Sequence, residues 1–181
     1  MSQIEPSPEV HPAFRAVHRV LSSLKDRGYQ PDFIVDVGAS TGCWSATCQL
    51  VFSASRYILV EPLVEVHRRL PHFLLDQFPQ FEVVECAVTD RDGNVSMSVA
   101  NDGVSSSLFP LGERTVSTLL VPCKSLLTIS RQKKLTGRGI LKIDVESSEY
   151  LALVGAGSFL DQIDIAIIET SVYRKRLRNP S

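Results

Sequence analysis

Long apolar runs are missing from this 181-residue chain. None reaches the roughly 18 residues that a membrane-spanning helix needs, so no span and no membrane partner are expected. The start, Met1-Ser-Gln-Ile-Glu-Pro6, lacks the basic-then-apolar order of a secretory signal. A strong charge of one sign is missing too. The net charge of −1 leaves no global field to draw the chain to nucleic acid or to an anionic surface. Locally, Arg174-Lys175-Arg176 with Arg178 is the exception, and it reads as a solvated tail rather than a patch for an acidic partner. Cysteine is scarce: there are four, with no C-x-x-C pair. Cys43 and Cys48 lack further metal ligands nearby, so buried free thiols in a reducing cytoplasm are expected. Repeats, linkers and low-complexity stretches are absent as well. One domain over residues 1–181 follows, long enough to bury roughly 70% of its unfolded surface.

Strand and helix signals alternate along the chain. Phe14, Val17, Leu21 and Leu24 recur at helical spacing before Gly28, which predicts a helix over 11–27. Phe33–Val37 is nearly all apolar, as a strand buried on both faces should be. Residues 42–52 read as a helix with Cys43, Ala46, Thr47, Leu50 and Val51 inward, and 57–60 as the second strand. A helix with Leu63, Val66, Leu70, Phe73 and Leu74 follows, strained by Pro71 and flanked by His67 and His72, which read as structural. Residues 81–88 read as the third strand. Asp92-Gly93 signals a hairpin turn, and strands over 94–100 and 115–121 make residues 92–121 a hairpin insertion. A short helix over 126–134, a strand over 139–145, a helix over 147–154 and a strand over 163–169 complete the pattern. This alternation implies an α/β fold with a mostly parallel sheet and helices on both faces. Ligands in such sheets sit beyond the C-terminal ends of the strands.

The chemistry-bearing residues fall at those ends. Asp36-Val-Gly38-Ala-Ser40-Thr41-Gly42 follows the first strand, and Glu61 closes the second, 19 residues beyond Gly42. A glycine turn of this kind admits a ligand close to the main chain. Three ligands compete for it. A dinucleotide calls for G-x-G-x-x-G, whereas this chain has G-x-S-x-G followed by Cys43 and by Trp44, a bulky residue for close helix–strand packing. A hydrolase elbow also has the form G-x-S-x-G, but its acid and histidine follow the serine, and no histidine follows His72. S-adenosylmethionine fits best, because its ribose needs an acid where Glu61 stands. Two charge-assisted hydrogen bonds there would be worth about 1.5–3 kcal/mol each. Asp36 would serve the methionine end or order the turn.

With these residues in place, the chain resembles the FkbM family of S-adenosylmethionine-dependent methyltransferases. The matching pieces are Asp36–Gly42, Glu61-Pro62, Cys86-Ala-Val88 with Asp90 and Gly93, Ser105-Ser-Ser-Leu108, Leu141-Lys-Ile-Asp-Val-Glu146 with Glu149, and the apolar strand ending at Glu169. They cover roughly residues 33–169. The resemblance implies a class I methyltransferase-like, Rossmann-like fold and O-methylation of a hydroxyl on a sugar or other secondary metabolite. It places Gly38, Ser40 and Gly42 beside the methionine and ribose, Glu61 on the ribose, and Cys86 and Ala87 near the adenine. S-adenosylhomocysteine would be the product. Three departures stand out. Ser40 replaces the family's usual Asn, and Ser147 replaces the glycine of its Glu-Gly-x-Glu motif. No apolar run follows Ile168, where relatives continue into a final antiparallel pair of strands. Either the chain is a truncated version or its sheet lacks those last strands, and an exposed edge at the fifth strand would invite a homodimer.

A neutral hydroxyl is a poor nucleophile, so a base should help. Lys142 and Asp144 share one face of their strand. Asp144, at the ligand end, is the first choice for base or acceptor-positioning group, and Glu146 the second. Lys142 either takes part or pairs with a carboxylate to hold the corner together. Glu149, three residues past Glu146, would face the same way on a helix. Oxygen clusters of this kind also take Mg²⁺, but no complete ligand set is visible and no metal is expected. The polar stretch 101–107 reads as a lid or as an ordinary hairpin loop. The alternative to an enzyme is a methyltransferase-like module that binds cofactor or partner without turnover. An RNA methyltransferase is disfavoured by the missing basic face and by the lack of an Asn-Pro-Pro-Tyr-type motif.

Overall fold

Five parallel strands carry the site. A computed structural model of the chain describes residues 12–64, 72–101 and 105–170, with the side chains of 72–74 left aside. The basic cluster at 174–178, His67, Pro71 and most of the helix expected over 63–74 lie outside those residues. The strands are β1 (Phe33–Val37), β2 (Arg56–Val60), β3 (Phe81–Val84), β7 (Gly139–Ile143) and β8 (Ile163–Ile168), in the order β3-β2-β1-β7-β8. All four pairings are parallel. The chain leaves β1 toward β2 on one side and returns to β7 on the other, so the order reverses at β1. A crevice opens at such a switch point. Every residue of β1 and β7 is buried.

Two apolar layers clamp the sheet. On one face, α1 (Arg15–Asp26) and α2 (Cys43–Gln49) pack Leu21, Trp44 and Cys48 against Ile34, Leu59 and Ile140. On the other, α4 (Leu126–Gln132) and α5 (Glu149–Ala156) pack Leu126, Ile129, Ala152 and Ala156 against Val35, Ile58 and Leu141. A short α3 (His72–Gln77) precedes β3. Local chemistry explains the helix ends. The N–H of Gly28, at φ +87°, closes α1 on the carbonyl of Lys25. Ser125 caps α4 by accepting the Thr128 N–H on its Oγ. Among the described residues no helix is long and apolar enough to cross a membrane.

Three expectations need correction. First, α2 turns a different stripe inward. Trp44, Thr47, Cys48 and Val51 are buried, whereas Cys43 is exposed, Ala46 is only half-buried and Leu50 is 43% exposed. The two candidate stripes differ by one residue, or about 100° of helix rotation. The large indole of Trp44 and the reach of Ser45 to Asp36 select the observed one. Second, the strand expected over 81–88 is two strands in two sheets. The Cys86 N–H bonds back to the carbonyl of Val84 at 3.1 Å, the chain bends, and β4 (Ala87–Val88) joins a separate sheet. Third, the Asp92-Gly93 turn does not pair the strands on either side of it. The second sheet runs β4-β6-β5, with β6 (Thr115–Lys124) lying between β4 and β5 (Gly93–Ala100). The hairpin is β5–β6, antiparallel. Asp92 instead accepts the Ser125 N–H at 2.9 Å, and this holds its carboxyl below the usual range.

Candidate functional site

β1 ends in a tight turn because Gly38 and Gly42 take φ values of +75° and +76°. Gly38 passes so close to β7 that a Cβ placed there would lie 1.9 Å from the main-chain oxygen of Asp144. The turn is joined to β2 by Glu61. Its Oε2 accepts the Ser40 N–H at 2.9 Å, and its Oε1 accepts the Leu63 N–H at 2.9 Å. Glu61 is only 2% exposed, so two main-chain donors hold its carboxylate in one orientation. Ser40 adopts φ +50°, a left-handed value that asparagine reaches more readily than serine.

Beneath the turn lies a buried ionic cluster. Asp36 and Lys142 are register partners on β1 and β7 and therefore share a face. The Lys142 ammonium donates to the carbonyl of Gly38 at 2.9 Å and stands 3.1 Å from Asp36 Oδ1 and 3.3 Å from Asp144 Oδ2. Asp36 Oδ2 also accepts the Ser45 hydroxyl at 2.8 Å. Burial alone would push the Lys142 pKa down, but Asp36 and Asp144 outweigh it and carry it above the ordinary value.

Above the turn a cleft of about 610 Å³ opens, counted out to its mouth. Gly38, Ser40 and Glu61 form its floor, and Cys86 and Ala87 one wall. Asp144, Glu146 and Ser148 stand on the β7 side, and Met97, Ser106 and Leu108 reach in from the second sheet. Burial pushes the Cys86 thiol up to about 11, so it presents a neutral wall rather than a nucleophile. No histidine lines this cleft among the described residues. Ser40 thus shares with a hydrolase elbow its G-x-S-x-G turn between strand and helix and a left-handed φ, but not a histidine partner at the cleft.

The structure brings together seven of the residues expected in the site: Gly38, Ser40, Glu61, Cys86, Ala87, Asp144 and Glu146. Four do not line the cleft. Asp36 and Lys142 lie below it. Gly42 is the N-cap of α2, and the Thr41 hydroxyl turns toward the Cys43 sulfur at 3.2 Å. Glu149, at the start of α5, accepts the Ser147 N–H on its Oε1 at 3.0 Å. Among the described residues no group of three or more His, Cys, Asp or Glu side chains is placed to hold a metal ion. Met97 carried no sequence signal beyond its place on the inward face of a strand. Ser45 was hidden by the one-residue offset of the α2 stripe.

The acid-bearing loop after β7 is strained and latched. Glu146 and Ser147 both take positive φ, +53° and +82°, which delays α5 to Glu149. The second sheet holds this loop down: Ser107 Oγ donates to the Glu146 carbonyl at 2.5 Å. Ser106 and Ser107 are both buried, and Ser107 bridges to Ser98. The last part of the 101–107 stretch is thus anchored, while 102–104 lie outside the described residues. Ser147 occupies the position where the related motif has glycine. A side chain in the left-handed region costs about 1–2 kcal/mol, partly offset by the extra backbone freedom that glycine loses on folding. Ser147→Gly should therefore stabilise the protein by about 0.5–1 kcal/mol, read as a higher urea midpoint with unchanged m. A lower midpoint would mean that the serine hydroxyl does more than the backbone geometry indicates.

A sequence model of the methyltransferase FkbM domain matches residues 36–177 of this chain. Among solved structures, the crystal structure of methyltransferase FkbM from Methylobacillus flagellatus KT is similar. The identity is 18% and the TM-score 0.49, over 75% of this chain and 32% of that one. The chain therefore spans about a third of that protein's length. No curated protein matches.

Proposed function

The chain belongs to the FkbM methyltransferase domain family, and from that premise we propose that it moves a methyl group from S-adenosylmethionine to a hydroxyl of a small molecule such as a sugar or secondary metabolite. The observation that carries this reading is the bond from the Ser40 N–H to Glu61. It joins the glycine turn and the β2 acid into one cradle at the switch point of the sheet. The cradle fits the donor: Gly38 leaves room at the main chain, Glu61 offers an oriented carboxylate for the ribose hydroxyls, and Cys86 and Ala87 offer a neutral wall for the base. When bound, the cofactor supplies a methyl activated by its sulfonium.

The acceptor's place would be the side where Asp144 and Glu146 face Met97 and Leu108. That combination suits an uncharged hydroxyl compound with an apolar flank. The Asp144 side chain is 30% exposed at the cleft, close enough to the ligand space to accept a hydrogen bond from a hydroxyl and orient it. The second-sheet residues would press the acceptor toward that carboxylate and keep water out.

Two experiments test the reading in sequence. Calorimetric titration of the purified chain with S-adenosylhomocysteine should give a one-site binding heat, and its absence at millimolar ligand would end the proposal. Incubation with methyl-labelled cofactor and a panel of hydroxylated acceptors should then yield labelled product. Binding without transfer to any acceptor would favour a non-catalytic cofactor-binding module. Glu61→Gln keeps one acceptor oxygen for the main chain but loses the charge. It should weaken S-adenosylhomocysteine binding by about 10- to 100-fold, as a lost charge-assisted bond predicts. An affinity within twofold of the parent would remove Glu61 from the ribose.

A further inference from the structure

Lys142 does more than neutralise a buried acid. Its ammonium meets three oxygens from three separate places: the turn after β1 at Gly38, the end of β1 at Asp36, and the end of β7 at Asp144. Asp36 is fully buried and needs a cation, and the Ser45 hydroxyl completes its partners. The contact with Asp144 has no such necessity, because that carboxylate reaches the cleft and water can solvate it. The bond to the Gly38 carbonyl ties the same ammonium to the main chain of the turn. We infer that Lys142 is a positioning residue that locks the glycine turn and the Asp144 carboxylate to one another, so that the donor and acceptor sides of the cleft hold one spacing. The inference rests on the proposed function, which places donor at the turn and acceptor beside Asp144. Lys142 itself does not line the cleft and touches neither ligand.

The geometry separates two roles of this side chain. The Lys142–Asp36 pair concerns stability, since both groups are buried. The Lys142–Gly38 and Lys142–Asp144 links concern the site. Replacing the buried pair by neutral groups of similar size, Asp36→Asn with Lys142→Met, removes both charges together and leaves neither one buried alone. This double variant should fold, and it removes the side-chain link between the turn and the Asp144 carboxylate while the main-chain bond from the Asp144 N–H to the Val37 carbonyl remains.

The test is a double-mutant cycle on S-adenosylhomocysteine affinity, measured by calorimetry on the full chain, with a thermal melt of every variant. In the parent, Asp144→Asn should weaken binding about 3- to 10-fold, because the disturbance reaches the turn through Lys142. In the Asp36→Asn/Lys142→Met background the same change should alter affinity by less than twofold. Lys142→Arg keeps the charge, but its planar fork does not converge on three oxygens. It should melt near the parent yet bind more weakly. Equal effects of Asp144→Asn in both backgrounds, or no effect in the parent, would overturn the inference and leave the proposed function standing. A parent chain that binds no S-adenosylhomocysteine would bring down both.

Discussion

Gly38→Ala is expected to abolish useful cofactor binding and to lower stability by several kcal/mol. The added methyl would sit 1.9 Å from the main-chain oxygen of Asp144 and 2.9 Å from its carbonyl carbon. Neither atom belongs to a side chain that could swing away. The left-handed φ of +75° adds about 1–2 kcal/mol for any residue with a Cβ, and forced overpacking adds about 1–3 kcal/mol more. The strain can relax only by parting the turn from β7. That stretches the bond from Lys142 to the Gly38 carbonyl and moves Ser40 away from Glu61. Losing the oriented Glu61 carboxylate for the ligand costs about 1.5–3 kcal/mol, or roughly 10- to 150-fold in affinity. A loss of that size in S-adenosylhomocysteine affinity, by calorimetry, is the expected result. Gly28→Ala is the control, because Gly28 has φ +87° with nothing within 4 Å of the added atom. It should carry the backbone penalty alone and bind as the parent does. Identical behaviour of the two variants would show that the close approach to β7 is unimportant.

Lys142→Met should be the most destabilising single change in the ionic cluster, at about 3–5 kcal/mol, the usual cost of leaving one buried charge without its partner. For a chain of this length that lowers the melting temperature by roughly 6–20 °C. Adding Asp36→Asn should restore most of the loss. A single variant that melts with the parent would mean that water already reaches Asp36. The pH dependence follows from the same cluster. The Lys142 pKa is raised in the folded chain, so its contribution is complete below the ordinary value of 10.5 and is lost as the pH climbs through the raised one. Parent and the Lys142→Met single variant should therefore differ most in stability below that ordinary value, and the gap should narrow in strongly alkaline solution. A gap that stays constant across that window would show that the ammonium is no more stable folded than unfolded.

The framework was readable because its signals are redundant. β1 and β7 announce themselves by short, mostly apolar runs whose five residues are all buried, and β8 by a similar run that stays mostly half-buried at the end of the strand order. The glycine turn and Glu61 stand at strand ends that any parallel α/β sheet would use for a ligand. What escaped the reading depends on long-range partners. The split between β3 and β4 is set by one hydrogen bond at Cys86 and by the presence of β6, whose pairing residues lie 36 positions on. The hairpin turn at Asp92-Gly93 looked local, yet its aspartate is committed to the start of α4. In α2, two stripes of similar polarity were available, and only the position of Asp36 in the folded sheet selects between them. Lys142 looked like a candidate for chemistry because it sits one position below the ligand end of its strand. The pleat that aligns it with Asp144 also points it under the sheet toward Asp36.

The parting of β3 from β4 has a consequence for how such a protein diversifies. The floor of the cleft is borne by the parallel sheet, while Met97, Ser106 and Leu108 come from a β5–β6 hairpin rooted in another sheet. Lengthening, shortening or recolouring that hairpin leaves the Gly38 turn and its carboxylate clasp where they are. One half of the chamber is thereby held constant while the other is open to change, and under the proposed function new substrates could be sampled without rebuilding the half assigned to the reagent common to all of them.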